Sequence, residues 1–87
     1  MAGTIHCSVL SPEGSVFDGE ATFVQAHALD GRLGVLPGHA PLITALGDGP
    51  LWVRIEGHAD RKWQVSGGFM EVLDNHVSIL AEGLREE

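Results

Sequence analysis

The chain has 87 residues, room for one domain, and its apolar fraction of 44% is that of an ordinary globular protein, which argues against disorder. Five basic residues against 12 acidic ones give a net charge of −7. An acidic surface repels phosphate backbones and anionic lipid, so direct nucleic-acid or membrane binding is disfavoured and a protein partner is not.

Taken in chain order, the side chains repeat with a period of two almost throughout. Ile5, Cys7 and Val9 alternate with Thr4, His6 and Ser8, which predicts a strand with one face turned to a core. Cys7, the single cysteine, has no partner for a disulfide and reads as a small buried apolar side chain. Pro12-Glu13-Gly14, Asp18-Gly19 and Asp30-Gly31 punctuate the next stretch, and Asp-Gly favours tight hairpins. Leu29, Leu33 and Leu36 lie in or beside the turn ALDGRLGVLPGH and read as exposed apolar material. Residues 34–41, GVLPGHAP, fence His39 between Pro37 and Pro41, and Pro37-Gly38 predicts a type II turn.

PLITAL (41–46) is short enough for a helical turn, but Ile43 and Thr44 favour a strand. Gly47-Asp48-Gly49-Pro50 then reads as a break. Leu51, Val53 and Ile55 alternate with Trp52, Arg54 and Glu56, sending Trp52 outward. Trp63 and Val65 alternate with Lys62, Gln64 and Ser66. Gly67-Gly68 separates KWQVS from FMEVL, as a bulge or a place of close backbone approach. After the turn signal Asp74-Asn75, Val77, Ile79 and Ala81 alternate with His76, Ser78 and Leu80. The last residues, EGLREE, read as frayed.

No segment carries a helical stripe of any length. The prediction is one all-β domain over 1–87: a flattened two-sheet sandwich or barrel of about ten short, mostly antiparallel strands. No apolar run approaches the ~18 residues of a spanning helix and no basic, apolar leader opens the chain, so a cytosolic location is expected.

The reactive residue types form no familiar pattern. His6, His27, His39, His58 and His76 are not paired at a metal-ligand spacing, and a cupin-like metal sandwich would need an H-x-H pair. Ser66-Gly67-Gly68 and Ser11-Pro12 place serines in turns, without the G-x-S-x-G context of a nucleophile. Most acids sit in turns, where aspartate is expected for backbone reasons. No catalytic residue, metal or cofactor is predicted.

Four blocks in order carry a family resemblance: V-L-S-P-E with V-F-D-G-E-A, then L-G-V-L-P-G-H-A-P-L (33–42), S-G-G-F-M-E-V (66–72) and V-S-I-L-A-E. Together they resemble the epsilon subunit of F-type ATP synthases, over essentially the whole chain. The resemblance implies a non-catalytic central-stalk subunit that docks on the gamma subunit and on the c-subunit ring, coupling proton-driven rotation to ATP synthesis. It also implies a peripheral place on the cytoplasmic side of the bacterial inner membrane. Carried over by position, Ser11, His39, Leu42 and Thr44 face gamma, and the turn Ala28, Leu29, Asp30, Gly31, Arg32 and Leu33 meets the ring. Arg32 stands where an acidic residue is common in the family. Members commonly continue into a C-terminal helical hairpin; this chain stops at Glu87, so the expectation is a sandwich domain without it. Two other readings are kept beside this one: a free-standing β-sandwich adaptor and a metal-dependent small sandwich enzyme.

Overall fold

In the computed structural model, which describes residues 3–87, every regular element is a strand. They are β1 (Ile5–Ser11), β2 (Gly14–Ala21), β3 (Phe23–Ala28), β4 (Gly31–Val35), β5 (Leu42–Arg54), β6 (Arg61–Leu73) and β7 (His76–Glu86). All belong to one hydrogen-bonded sheet of seven strands in the order β2-β1-β7-β6-β5-β3-β4. Neighbours are antiparallel except β1 and β7, which run parallel.

Among the described residues the strand count is therefore seven, not about ten. Two of the expected breaks, Gly47-Asp48-Gly49-Pro50 and Gly67-Gly68, lie inside the 13-residue strands β5 and β6. The register between these strands never slips: Leu46 faces Gly68 and Asp48 faces Ser66, so Gly67-Gly68 is not a bulge. It is the other expected alternative, a close approach. A Cβ on Gly68 would run into the Leu80 carbonyl oxygen and sit 2.9 Å from the Ala81 Cα. Both glycines hold positive φ, 75° and 132°, where an L side chain is strained.

At this point the pleat changes phase. Trp63 and Val65 are buried at odd positions of β6, then Met70 and Val72 at even ones. Strand β5 makes the same exchange between Leu46 and Leu51. The sheet bends along this line and folds back on itself as two layers. One holds β2, β1, the first part of β7, the second part of β6 and the first part of β5. The other holds the remainder of those long strands with β3 and β4. Their inner faces share a single core that includes Ile5, Val9, Val24, Val35, Leu51, Val53, Trp63, Met70 and Ile79. Phe17 of β2 meets Trp63 of β6 edge to face at 6.0 Å, although two other strands separate them in the sheet order.

The turns follow their chemistry. The His39 N–H donates to the Leu36 carbonyl at 3.1 Å with Gly38 at φ 82°, the geometry of a type II turn with Pro37 leading. Asp74 and Asn75, at φ 50° and 62°, make the two-residue hairpin from β6 to β7. Asp18-Gly19 is no turn; both residues lie within β2. PLITAL enters β5 as a strand. The expected fraying of EGLREE is corrected too. Strand β7 runs to Glu86, where Arg61 binds the Glu86 carboxylate at 2.6 Å, and Gln64 donates to Glu87 at 2.6 Å.

Candidate functional site

Cys7, Val77 and Ile79 fill the inner face of the first layer, so the alternate residues of the same strands stand on its outer face. Register sets them in rows. Across one row run Ala45, Phe69, Leu80 and Leu10, contributed by β5, β6, β7 and β1. The next holds Ile43, Glu71, Ser78, Ser8 and Asp18. A third holds Leu73, His76, His6 and Glu20. Ile43 is 71% exposed, Phe69 55%, Leu80 53% and Leu73 47%, on strands whose opposite face is closed. Single exposed apolar residues are ordinary, but a contiguous set on a rigid sheet marks a contact surface.

The residues expected to face gamma surround this face rather than cover it. Leu42 is half-buried and packs on the core, and Thr44, also half-buried, donates its hydroxyl to the Ala45 carbonyl at 3.3 Å. Both sit in the inward phase of β5. Ser11 closes the β1–β2 hairpin: its Oγ lies 3.1 Å from the Glu13 carboxylate and accepts the Glu13 N–H at 3.2 Å. His39 is half-buried in the corner of residues 36–41, its Nδ1–H donating to the Ala40 carbonyl at 2.7 Å. The corner abuts the β6–β7 turn, where the Gly38 N–H donates to Asn75 Oδ1 at 2.9 Å. Ser11 and His39 thus stand at opposite ends of the layer, with the apolar rows between them. Sequence reading missed Leu10, Ile43, Phe69 and Leu80 because each, on its own strand, is only a stray outward apolar residue. Registry alone makes them one surface.

The six residues expected to meet the ring form the β3–β4 hairpin, with Ala28 opposite Gly31 and Leu29-Asp30 at its tip. Leu29 is 72% exposed, Arg32 is exposed, and Leu33 is half-buried against the core. The tip is not a free loop: the Leu29 N–H donates to the Ala45 carbonyl at 3.3 Å, and a leucine methyl carbon lies 3.6 Å from where Gly47 would carry a Cβ. The hairpin therefore borders the apolar row at its β5 end.

On the outer face of the second layer, Trp52 is half-buried and donates its indole N–H to Asp60 at 2.8 Å, while Arg54 lies over both Trp52 and Phe23. Trp52 does point away from the core, as expected, but it is already engaged. Burial pushes the Cys7 thiol up to about 12, so it holds its proton and packs as an apolar group. Among the described residues, no three His, Cys, Asp or Glu side chains are arranged to hold a metal ion.

The sequence pattern of the ATP synthase delta/epsilon chain β-sandwich domain matches residues 4–86. The chain belongs to this family. It superimposes with a TM-score of 0.89 and 25% identity on a chain of the Euglena gracilis mitochondrial ATP synthase, in a cryo-EM structure of OSCP/F1/c-ring in rotational state 1. That match covers 95% of this chain and 53% of the Euglena one. A chain from the central stalk/c-ring of the Tetrahymena thermophila mitochondrial ATP synthase shares the fold, with a TM-score of 0.79 at 17% identity, over 95% of this chain and 66% of that one. The chain thus spans about half to two-thirds of the length of these relatives. The family's β-sandwich is the folded two-layer sheet described above, and its membership agrees with the resemblance in the four sequence blocks.

Proposed function

We propose that this β-sandwich is part of the rotor of an F-type ATP synthase. In this reading it is a non-catalytic central-stalk piece that docks on gamma by the outer face of its first layer and on the c-subunit ring by the β3–β4 hairpin. The observation that carries the proposal is the run of exposed apolar side chains, Leu10, Ile43, Phe69 and Leu80, across four hydrogen-bonded strands. Family membership and the Euglena neighbour, whose structure includes the c-ring, support it.

A joint that transmits torque must not shear. Flat apolar rows on strands tied to a closed core lose little conformational entropy on binding, and the proline-braced corner beside them loses little more. A standard contact buries about 800 Å² on each partner, roughly a sixth of the 5003 Å² surface here. In this role the domain sits beside the membrane as a peripheral component, on the cytoplasmic side in a bacterium, where proton-driven ring rotation is coupled to ATP synthesis. No helix among the described residues is long and apolar enough to cross a bilayer.

Leu80→Glu and Phe69→Glu test the face directly, since both side chains are exposed and the fold does not need them. Each is expected to weaken binding to purified gamma by about 30-fold or more in calorimetry, a loss on the scale of an interface hot spot. Unchanged affinity in both would reject this face. Leu42→Arg is a poorer test, because Leu42 packs on the core and its loss mixes stability with docking. For the hairpin, Arg32→Glu is expected to change assembly with the c-ring and its dependence on salt; equal assembly at low salt would remove Arg32 from that contact.

A further inference from the structure

Edge strand β2 carries Asp18 and Glu20 on the outer face, and neither β1 nor β2 contains a lysine or arginine. The group between the two carboxylates is His6 of β1. Its Nδ1 lies 2.8 Å from Glu20 and its Nε2 is bonded to Asp18. Across the parallel pair from β7, the His76 ring leans on His6 with centroids 4.7 Å apart, and His76 Nε2 is 3.2 Å from Ser8 Oγ. Glu71 of β6 and Asp74 of the following turn share a surface depression with His76. Both His6 nitrogens therefore face acceptors, and only the imidazolium can donate to both.

The cluster continues to the docking corner. Glu20 accepts from the Thr4 hydroxyl at 2.7 Å. The Thr4 carbonyl accepts from the Asn75 side-chain amide at 2.7 Å, and Asn75 Oδ1 accepts the Gly38 N–H at 2.9 Å. The His6 N–H also donates to the Asn75 carbonyl, at 3.1 Å. A protonation event at His6 thus reaches the turn beside His39 through Glu20, Thr4 and Asn75.

We propose that His6, Asp18 and Glu20 form a proton-operated latch that fixes the docking corner through Thr4, Asn75 and Gly38. The proposal rests on the reading of that corner as a docking element. With His6 charged, the carboxylates are neutralised, Glu20 stays seated on Thr4, and Asn75 is held in line with Gly38. With His6 neutral, two carboxylates on neighbouring outward positions of β2 repel, and the hold on Thr4 loosens.

The working window follows from the groups themselves. The bonds from Glu20 and then Asp18 raise the His6 pKa above 6.5, so its contribution is complete below 6.5 and is lost as pH rises through the raised value. Thr4 and then His6 lower the Glu20 pKa below 4.5, so that contribution is present above 4.5 and is lost as pH falls through the lowered value. The latch is closed between these limits.

The test follows the His6 ring and the Gly38 amide by NMR across this range, in the full chain carrying His39→Asn so that the corner's own imidazole cannot report. The expected result is one shared midpoint, above 6.5. His6→Gln should abolish the Gly38 titration. Asn75→Gly, which suits the positive φ of that position, should leave His6 titrating and Gly38 silent. A Gly38 amide that ignores His6, or that still follows it in Asn75→Gly, overturns the latch. Binding to gamma is then measured on either side of the midpoint with His39 intact. Weaker binding at the higher pH, levelled by Asn75→Gly, supports the regulatory role, and pH-independent binding overturns it. No binding at any pH, with Gly38 still following His6, rejects the docking reading and leaves the latch standing.

Discussion

Gly68→Ala is expected to cost about 3 kcal/mol or more of folding stability, a large part of what a domain this size has. The substitution brings a methyl group against the Leu80 carbonyl and the Ala81 Cα, which are backbone atoms of β7 and cannot turn aside as a side chain would. It also forces an L residue to φ 132°. Relief requires β6 and β7 to separate where the sheet bends, and both layers depend on that line. Urea unfolding followed by tryptophan fluorescence gives the answer. Gly57→Ala is the control: Gly57 also has positive φ, 78°, but open space around its Cβ position, so it should lose only the backbone term of about 1–2 kcal/mol. Equal stability of Gly68→Ala and the unsubstituted chain would mean that the layers are not joined through a tight bend.

Trp63→Ala is expected to be comparably severe, about 3–5 kcal/mol. Trp63 is 1% exposed and is the largest of the fully buried side chains. It also receives Phe17, the contact that closes β2 over the other layer, and it underlies Arg61, whose guanidinium lies 5.0 Å from the ring centroid. Removing the indole opens a cavity and frees one edge of the sheet together. A double-mutant cycle with Phe17→Ala separates these effects. The aromatic pair should show a coupling of about 0.5–1.5 kcal/mol, and no coupling would place β2 elsewhere. Thermal unfolding in parallel should show one transition for each variant if both layers melt together.

Much of the fold was legible in the residues. The alternation in β1, β7 and the first half of β6 named the buried set Ile5, Cys7, Val9, Trp63, Val65, Val77 and Ile79 correctly, because a pleat with one dry face leaves that signature. Pro37-Gly38 gave its turn type because proline fixes the first central φ and glycine takes the positive second one. The continuity of the long strands was not legible. Gly47-Asp48-Gly49-Pro50 and Gly67-Gly68 look like loops, since the residues that end a strand are also those that let one bend sharply without ending. The phase change from Val65 to Met70 is visible once the bend is known, but a phase change is also what two separate strands would show.

The candidate site was partly legible. Turn motifs marked the β3–β4 hairpin and the corner around His39 as turns, and only the family resemblance named them as contacts. The apolar rows came from pairings between residues far apart in the chain, such as Leu10 with Leu80 and Ala45 with Phe69. No single stretch records such a pairing. The link from His6 to Gly38 is of the same kind, joining residues of β1, β2, the β6–β7 turn and the corner.

The parallel pairing of β1 with β7 has a consequence for biosynthesis. His6 faces His76, so β1 leaves the ribosome long before the strand that covers its flank. Until then it has only β2 beside it, and a two-stranded ribbon with Ile5, Cys7 and Val9 uncovered is marginal in water. The domain must therefore assemble late and nearly all at once, and nascent chains halted short of β7 are those that chaperones and proteases will meet.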